Sequence, residues 1–432
     1  MIRRNLQQWL AWQEQLTADR IALGLERVAR VWRRLAVPAL PRPVLTVAGT
    51  NGKGSTVLYL ERILLAGNRR VGSYTSPHLI RYNERVRIGG EMVSDEALCE
   101  AFAAVERARG EVPLTYFEFG TLGALWLFAR HRLDAVVLEV GMGGRLDAVN
   151  VVDPDIALIT TVGVDHRQWL GNDVESIARE KAGIFRRDGR GIYADRRPPV
   201  AVLDRARQLG MTLFCRERDF FVERHGRSWV WSASGQQMTL PPLSGAGAAR
   251  YQNAAGAVAA LRLFPEVVQA SWSEIVQGLR GAVLPGRLEI VPGAVTVVFD
   301  VAHNSQSVAV LAGALSGSPV AGKTYAVWSM LADKEWGDAL QPMAPWVDHW
   351  FVGPVSGSER AAAGADLVAV AMQCLGRDRV TAAPNVVAAF DMARFTACPG
   401  DRIVVFGSFI TVAQVKQQFF AGCGRGGEDV VG

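Results

Sequence analysis

A glycine-rich turn close to residue 50 contains the residues best suited to chemistry. Residues 44–56 read VLTVAGTNGKGST, an apolar run followed by three glycines, a lysine and hydroxyl side chains. A strand, a glycine-rich turn and a helix N-terminus present several backbone N–H groups to one point, which is the geometry that binds phosphate. Lys53 would give a positive charge to the terminal phosphates, and Ser55 a hydroxyl to Mg²⁺. We predict ATP binding by Thr50, Asn51, Gly52, Lys53, Gly54 and Ser55.

Glu139 and His166 each follow an apolar run that is typical of a buried strand. Glu139 ends one run and precedes a glycine turn, and His166 closes the segment Val-Gly-Val-Asp-His after the run at 156–161. Ligands of open α/β sheets bind at the carboxyl ends of the strands, so we expect both side chains at that edge. A single glutamate or histidine in such a place is more often a solvated, ion-paired or hydrogen-bonded residue, and that alternative stays open.

Short apolar runs alternate with longer helical patterns along the chain. Most of the runs lack polar alternation, as expected for parallel strands covered on both faces, so the order indicates right-handed βαβ units and an α/β architecture. Residues 211–243 differ, because they mix apolar, polar and aromatic residues, and we interpret them as a small β-rich insertion. The expected strands are 44–48, 71–74, 135–140, 156–161, 296–299, 324–328 and 403–406.

The chain of 432 residues exceeds the size that one hydrophobic core usually supports, so two domains are expected. A Leu-Pro-Gly sequence at 284–286 precedes a new set of strands and places the boundary there. The predicted domains are residues 1–284, with the phosphate turn and the β-rich insertion, and residues 285–432.

Composition and charge are ordinary for a soluble globular enzyme. Apolar residues make up 49% and charged residues 21% of the chain, and the net charge of +5 does not predict nucleic acid or membrane binding. The N-terminus lacks the continuous apolar core of a signal peptide, and no run of about 18 apolar residues predicts a membrane span. The five cysteines are far apart and odd in number, so they indicate neither a disulfide framework nor a zinc site. We expect a cytoplasmic monomer.

Further motifs follow the phosphate turn in a fixed order. They are SPHL at 76–79, RYNERV at 81–86, FEFGT at 117–121, LEVG at 138–141, GGRLD at 143–147, DH at 165–166, REKAGIF at 179–185, LPGR at 284–287 and DVAHN at 300–304. Singly these motifs are weak, but in this order they are highly specific. The sequence resembles the folylpolyglutamate synthase and dihydrofolate synthase family, a branch of the Mur-type peptide ligases, over most of its length.

This resemblance implies a P-loop α/β domain carrying the small β insertion, followed by a Rossmann-like α/β domain. It implies an ATP-dependent ligase that joins a folate carboxylate to an amine through an acyl phosphate. The expected substrates are dihydropteroate, tetrahydrofolate and L-glutamate, with the dihydropteroate reaction suggested by the motifs that match the pterin site.

The resemblance also implies a metal site and catalytic residues. Three of the six histidines, at 78, 166 and 303, fall inside the motifs at strand ends, which favours function for His166 and His303. Lys181 is implied to be carbamylated and to help hold a second ion, which requires a pKa lowered by burial. The implied ligands of two Mg²⁺ ions are Ser55, Ser76, Glu139 and His166, and the implied catalytic residues are Lys53, Lys181 and His303.

For the acceptor, the resemblance implies that Phe117 stacks on the pterin and that Asp147 pairs with its amino-pyrimidine edge. Phe117 alone would equally suit a hydrophobic core. Ile410 is a departure, because relatives often carry histidine there, and this puts in doubt a substrate role for residues 407–411. The implied acceptor residues are Leu23, Gly24, Thr115, Tyr116, Phe117, Glu118, Leu146, Asp147 and Ala148. The implied nucleotide contacts outside the phosphate turn are Asn253, Arg287 and Asp300.

Three alternatives remain at this point. The first is an enzyme that extends folates without making dihydrofolate, the second is a ligase of cell-wall precursors, and the third is a nucleotide-dependent switch that makes no product. The FEFGT and GGRLD motifs weigh against the cell-wall ligase. A switch would leave the second domain unexplained, and no NKxD-type guanine-reading sequence occurs.

Overall fold

The computed structural model describes residues 4–16, 23–226, 228–243 and 247–423. The chain divides into two compact units: unit 1 is Met1–Leu243 with Ala249–Ala282, and unit 2 is Ser244–Ala248 with Val283–Gly432. The boundary expected between residues 284 and 285 lies beside the division after Ala282. Gly247 and Ala248 group with unit 2, a feature that the order of residues along the chain does not indicate.

Unit 1 contains an eight-stranded sheet. Its strands are β1 (Val44–Ala48), β2 (Val71–Tyr74), β3 (Val86–Ile88), β4 (Glu91–Met92), β5 (Ala135–Glu139), β6 (Ile156–Ile159), β7 (Arg190–Tyr193) and β8 (Thr212–Cys215). Their order across the sheet is β4-β3-β2-β5-β1-β6-β7-β8. The pairs from β2 to β8 are parallel, and β3 and β4 form an antiparallel edge. Every residue of β1 and β5 is buried, and all of them except Thr46 and Glu139 are apolar, as expected for strands covered on both faces.

Ten helices of unit 1 accompany this sheet within the described residues. Their N-termini follow local capping rules: Thr115 caps the fifth helix and Asp173 the seventh, each accepting from an amide three residues later. The helices are α1 (Leu6–Glu14), α2 (Glu26–Leu35), α3 (Lys53–Ala66), α4 (Asp95–Arg109), α5 (Tyr116–Arg130), α6 (Arg167–Leu170), α7 (Val174–Lys181), α8 (Val200–Gln208), α9 (Ala248–Arg262) and α10 (Trp272–Leu279).

The β-rich insertion is shorter than the sequence indicated. We expected it to span residues 211–243, but β8, at its start, pairs in parallel with β7 and belongs to the main sheet. The separate part is a three-stranded antiparallel sheet of β9 (Phe220–His225), β10 (Ser228–Ala233) and β11 (Gln236–Leu240). A four-residue mixed strand carries no signal for the sheet in which it will pair, because pairing is a tertiary contact.

Unit 2 contains a six-stranded sheet with helices. Its strands are β12 (Glu289–Val291), β13 (Thr296–Asp300), β14 (Thr324–Trp328), β15 (His349–Val352), β16 (Val380–Ala382) and β17 (Arg402–Phe406), in the order β12-β13-β17-β14-β15-β16. Only the edge strand β12 is antiparallel to its neighbour. The helices are α11 (Ser305–Ser316), α12 (Trp336–Leu340), α13 (Gly364–Leu375), α14 (Val386–Thr396) and α15 (Phe409–Cys423).

The register of the central strands of unit 1 positions the candidate site. Strand β1 lies between β5 and β6, with Val47 opposite Glu139 on one side and Ala48 opposite Ile159 on the other. The chain that leaves β1 therefore emerges at the same sheet edge as Glu139 and the residues that follow β6. Among the described residues, no helix is both long enough and apolar enough to cross a bilayer.

Candidate active site

The phosphate turn joins β1 to α3 and depends on glycine at two positions. Gly49 has φ +151°, and a Cβ there would lie 1.8 Å from Thr160 Oγ1. Gly52 has φ +88°, and a Cβ there would lie 2.3 Å from Asn253 Oδ1. Both contacts exclude a larger residue, so the turn keeps its backbone conformation and its close approach to neighbouring side chains. The second contact also brings Asn253, an expected nucleotide residue, against the turn.

Hydrogen bonds from the end of β6 hold this turn in place. Thr160 Oγ1 donates to Asn51 O at 2.6 Å, and Asn51 N donates to Thr161 Oγ1 at 3.1 Å. Lys53 Nζ donates to the carbonyl oxygens of Gly49 and Thr50 at 3.0 and 3.3 Å. Helix α3 begins at Lys53 and has no side-chain cap. The first amides of α3 are thus offered to an anion rather than to a capping side chain.

The carboxylate of Glu139 lies beside the start of α3. A Cβ on Gly54 would be 3.4 Å from Glu139 Oε2, and the same oxygen accepts a hydrogen bond from Ser76 N at 3.0 Å. Glu139 is buried, with 5% of its surface exposed. Three of the expected ligand residues (Ser55, which follows Gly54, Ser76 and Glu139) therefore come from separate segments to one place. Hydroxyl and carboxylate oxygens suit Mg²⁺, so these residues fit a divalent cation.

His166 occupies an unusual backbone conformation before α6. Its φ of 52° and ψ of 42° lie in the left-handed region, and its backbone N–H donates to Asp165 Oδ1 at 2.8 Å. Within the described ranges, no three His, Cys, Asp or Glu side chains form a group that could hold a metal ion. The expected ligand set contains two serine hydroxyls and does not require such a group. The left-handed conformation is uncommon for a residue with a side chain, and it indicates a constrained position.

Lys181 is the last residue of α7 and has 3% of its surface exposed. Burial, together with the positive charge of Lys53, lowers the pKa of its amine to about 7, against the opposing effect of Asp165 and Asp147. A large share of the amine is therefore neutral near pH 7. A neutral amine is required for reaction with CO₂, and the sequence alone could not show that Lys181 has one.

Phe117 and Asp147 meet around the turn that follows β5. A Cβ on Gly141 would lie 2.5 Å from Phe117 Cζ, and the neighbouring Met142 N donates to Asp147 Oδ2 at 2.8 Å. Asp147 Oδ1 accepts from Val149 N at 3.0 Å. The pKa of Asp147 is raised to about 6, because the effect of burial exceeds the opposing effect of the backbone amides. Asp147 thus shapes residues 141–149, and Leu146 and Ala148 flank it in this loop.

Thr115 and Glu118 form a capping box at the start of α5. Thr115 Oγ1 accepts from Glu118 N, and Glu118 Oε2 accepts from Thr115 N at 2.8 Å. Glu118 Oε1 also accepts from Arg27 Nη2 at 2.7 Å, which ties α2 to α5. Leu23 and Gly24 precede α2 and are partly buried. The structure gives Thr115 and Glu118 a clear local role, whereas Tyr116 and Phe117 remain partly exposed.

The expected residues of unit 2 gather at the end of β13. Asp300 is the last residue of β13, and its carboxylate accepts from Leu288 N and Ala302 N at 2.7 and 2.8 Å. His303 Nδ1 lies 2.9 Å from Val301 O. Arg287 and His303 both lie against the ring of Phe409, at 5.3 and 6.4 Å from its centroid. The three residues Arg287, Asp300 and His303 therefore share one edge of the unit 2 sheet.

Thr160 and Thr161 were missed by sequence reasoning. Their hydroxyls bind the backbone of the phosphate turn, yet the sequence shows only two threonines at the end of an apolar run. The signal available was their position, because residues that follow β6 must emerge beside those that follow β1 in a parallel sheet.

Comparison with known proteins first defines the class of protein. Residues 47–197 match the Mur ligase middle domain, and residues 286–409 match the Mur ligase glutamate ligase domain. The phosphate turn and Glu139 fall in the first region, and Arg287, Asp300 and His303 in the second. The predicted α/β fold is confirmed, and this fold and these matches define an ATP-dependent ligase of the Mur type.

Individual relatives narrow this class. The chain is 43% identical over 415 residues to the dihydrofolate synthase/folylpolyglutamate synthase of Escherichia coli (strain K12), with 95% of each chain covered. It is similar to E. coli FolC in complex with DHPP and ADP, with a TM-score of 0.91, 41% identity and coverage of 97% and 99%. It is also similar to a bifunctional folylpolyglutamate synthase/dihydrofolate synthase from Yersinia pestis complexed with AMPPNP and Mn ion. The TM-score is 0.88 and the sequence identity 40%, with 96% of this chain and 98% of that chain covered. The chain belongs to the dihydrofolate synthase/folylpolyglutamate synthase family.

Proposed function

We propose that this chain is an ATP-dependent ligase that adds L-glutamate to dihydropteroate, giving dihydrofolate, and to tetrahydrofolates, extending their glutamate tail. The observation that carries the proposal is the buried carboxylate of Glu139 beside Gly54 at the uncapped start of α3. It provides a cation site next to a phosphate site. The family relatives, of which one is named as a complex with DHPP and ADP and another with AMPPNP and Mn ion, support these ligands.

In the first step, an oxygen of the acceptor carboxylate attacks the γ-phosphorus of ATP, the bond to the bridging oxygen breaks, and ADP leaves. The product is an acyl phosphate. The amides of α3 and the ammonium of Lys53 hold the phosphates, so that negative charge is stabilised as it is redistributed. Phosphoryl transfer requires no covalent bond to a side chain, which fits a site built from backbone amides and charged groups.

In the second step, the amine of glutamate attacks the acyl carbon, and phosphate leaves from the tetrahedral intermediate. The amine must lose a proton before or during this attack. We assign His303 of unit 2 to this step. Its Nδ1–H donates to Val301 O, which leaves the lone pair of the ring on Nε2, where it can accept a proton. Asn253, Arg287 and Asp300 are assigned to the nucleotide, as are Thr50, Asn51, Gly52, Lys53, Gly54 and Ser55.

Ser55, Ser76, Glu139 and His166 are proposed to hold Mg²⁺. Two such ions, when bound, would neutralise charge on the phosphates and the acceptor carboxylate. We further propose that Lys181 is carbamylated: its neutral amine attacks CO₂, a proton is released, and the new carboxylate helps to hold the second ion. The burial of Lys181 and its pKa of about 7 support this step. The chain is proposed to act as a cytoplasmic monomer with domains at 1–284 and 285–432.

The acceptor is proposed to stack on Phe117 and to meet Asp147 with its pterin edge. Their joint position around Gly141 supports this assignment. Tyr116, Leu146 and Ala148 complete the surroundings of the pterin in this proposal. Leu23, Gly24, Thr115 and Glu118 are proposed to act on the acceptor site through α2 and the start of α5.

The test measures phosphate release with ATP and L-glutamate in the presence of dihydropteroate, tetrahydrofolate or neither. We expect release to depend on glutamate and to occur with either acceptor. Release with tetrahydrofolate alone would reduce the activity to glutamate-tail extension. A nucleotide-sugar peptide serves as a control for a cell-wall ligase, and release with that compound alone would overturn the proposal. Nucleotide hydrolysis that is indifferent to every acceptor would instead favour the switch.

A further inference from the structure

Arg85 is a buried arginine that the proposed mechanism does not use. It ends the short 3-10 helix Tyr82–Arg85, directly before β3, and 8% of its surface is exposed. Its Nε donates to His78 Nδ1 at 2.8 Å. Its guanidinium carbon lies 5.1 Å from the ring centroid of Tyr82 and 5.5 Å from that of Tyr116. The two rings and the imidazole fix the orientation of the positively charged group.

Among the described residues, the guanidinium of Arg85 has no carboxylate partner. No Asp or Glu oxygen in the part of the chain that the structure describes lies within 4.0 Å of its nitrogens, although other arginines and lysines have such partners. A buried charge is costly unless it is paired or hydrogen-bonded. The groups around Arg85 are aromatic faces, an imidazole and the hydroxyl of Tyr74.

Two other buried cationic side chains show which partners stabilise such a charge when its role is structural. Lys416 Nζ binds both carboxylate oxygens of Glu289 at 2.6 Å. Arg402 donates to Ser318 O at 2.8 Å and to Thr324 Oγ1 at 3.0 Å. Carboxylates or carbonyl oxygens therefore surround these two residues, whereas Arg85 has only weak acceptors. The difference points to an anion that does not belong to the chain.

Arg85 also lies next to the proposed acceptor site. Its carbonyl oxygen accepts from Thr75 N at 2.9 Å, one residue before Ser76, whose amide binds Glu139. Tyr74, within reach of the Arg85 guanidinium, has its ring centroid 6.2 Å from that of Phe117. The arginine is thus connected on one side to the cation site and on the other to the ring that is proposed to stack on the pterin.

We propose that Arg85 binds the α-carboxylate of the glutamyl residue carried by a reduced folate acceptor. This inference rests on the proposed function. The carboxylate that reacts must reach the γ-phosphate at the Lys53 turn, so it cannot remain on Arg85. Dihydropteroate has a single carboxylate, whereas a folate that carries glutamate has a second one about one residue away. A guanidinium binds such a group through two parallel hydrogen bonds. Arg85 is therefore a specificity residue for tail extension.

The first test compares two acceptors in Arg85→Gln, Arg85→Lys and wild-type protein. We expect Arg85→Gln to lower kcat/KM for tetrahydrofolate by roughly ten- to a hundredfold, chiefly through KM, because an acceptor contact is lost. The loss with dihydropteroate should be much smaller. Arg85→Lys should recover part of the loss, because lysine keeps the positive charge but lacks the paired N–H donors of the guanidinium. Arg81→Gln is the matched control: Arg81 is exposed, pairs with Asp95 at 3.3 Å, and its loss should affect neither acceptor selectively.

A purely structural role predicts a different pattern. Arg85→Gln would then lower the thermal midpoint and reduce kcat/KM equally for both acceptors, and that outcome would overturn the proposal. No change with either acceptor, or a larger loss with dihydropteroate, would also overturn it.

A second measurement remains decisive if the variant does not fold. Wild-type protein should bind tetrahydrofolate at least tenfold more tightly than its α-carboxamide analogue, because only the former has the second carboxylate. Equal binding of the two compounds would reject the assignment of Arg85. The wild-type turnover measured in the same series tests the proposed function separately, because absence of release with either acceptor would refute the ligase activity and not the arginine alone.

Discussion

Two strand-to-helix turns, one in each unit, carry candidate site residues and are built in opposite ways. In unit 1, β1 passes into α3 through Gly52, and no side chain caps the helix. In unit 2, β13 passes into α11 through Asn304, whose Oδ1 accepts from Ser307 N at 2.9 Å. Ser307 Oγ in turn accepts from the amides of His303 and Asn304. The amides of His303, Asn304 and Ser307 therefore have internal acceptors in unit 2, whereas no side chain caps the start of α3 in unit 1.

This difference separates two ways of binding a nucleotide. The turn in unit 1 is expected to bind phosphate through backbone amides and Lys53, because an uncapped helix start carries partial positive charge. For the turn in unit 2, our proposal assigns the contribution to side chains, namely those of Arg287, Asp300 and His303. Substitution of Lys53 in the first turn should therefore abolish activity. Substitution of the cap residue Asn304 in the second turn should mainly lower the stability of the protein.

The largest effect is expected for Lys53→Ala. Loss of the ammonium at the transferred phosphate should reduce turnover by roughly a thousandfold or more, with the fold retained. Phosphate release and circular dichroism provide the measurements. Lys323→Ala, which removes an exposed lysine of unit 2, is the control and should keep normal turnover. Near-normal ligation by Lys53→Ala would remove the phosphate turn from the mechanism.

Lys181→Ala should lower turnover by roughly a hundredfold, because a metal-binding carboxylate would be lost. A short carboxylic acid such as acetate should restore part of the activity by occupying the vacated space. Mass spectrometry at neutral pH with bicarbonate checks the carbamate directly. An unmodified amine under those conditions, together with a lack of rescue, would reject the carbamylation of Lys181.

Asp147→Asn tests whether a carboxylate that already accepts hydrogen bonds from the protein backbone can also bind the substrate. Both oxygens of Asp147 already accept backbone hydrogen bonds, as in the capped turn of unit 2, yet in unit 1 the residue binds the turn whose Gly141 approaches Phe117. If it also binds the pterin edge, kcat/KM for dihydropteroate should fall by roughly ten- to a hundredfold, with the KM for ATP unchanged. A loss of thermal stability with unchanged kcat/KM would make Asp147 a loop residue only.

Lys181 should also make stability depend on pH. Its pKa is lowered from 10.5 to about 7 in the folded state, so between these values the unfolded chain binds more protons than the folded one. The contribution of Lys181 to the free energy of unfolding should therefore rise with pH between about 7 and 10.5, and it should be nearly constant well below pH 7, where both states are protonated. In CO₂-free buffer, wild type should gain on the order of 1–2 kcal/mol relative to Lys181→Met from pH 7 to pH 9. Parallel pH profiles would show that the lysine is not buried as a neutral amine.

The smallest effect is expected for Asn304→Ala. Loss of the cap should cost about 1 kcal/mol of unfolding free energy, because an amide at the start of α11 loses its acceptor. Chemical denaturation measures this change. Asn385→Ala at the start of α14, where Asn385 Oδ1 accepts from Ala388 N at 2.9 Å, is a matched cap and should cost a similar amount. A negligible cost for Asn304→Ala alone would show that α11 does not depend on its cap.

The sequence by itself determined the family, the α/β class and the central strands. The expected strands 44–48 and 71–74 correspond to strands residue for residue, because strands buried on both faces are predominantly apolar. The glycines of the phosphate turn were equally visible, since their backbone conformations and close contacts admit almost no other residue.

The tertiary structure alone decided which sheet β8 joins, how far Lys181 is buried, and which groups surround Arg85. Each of these depends on segments that are distant in sequence: β8 pairs with β7, and Arg85 is enclosed by Tyr82, Tyr116 and His78. The sequence shows that a lysine or an arginine is present, but the free energy of its charge is set by the water it loses and the partners it gains on folding.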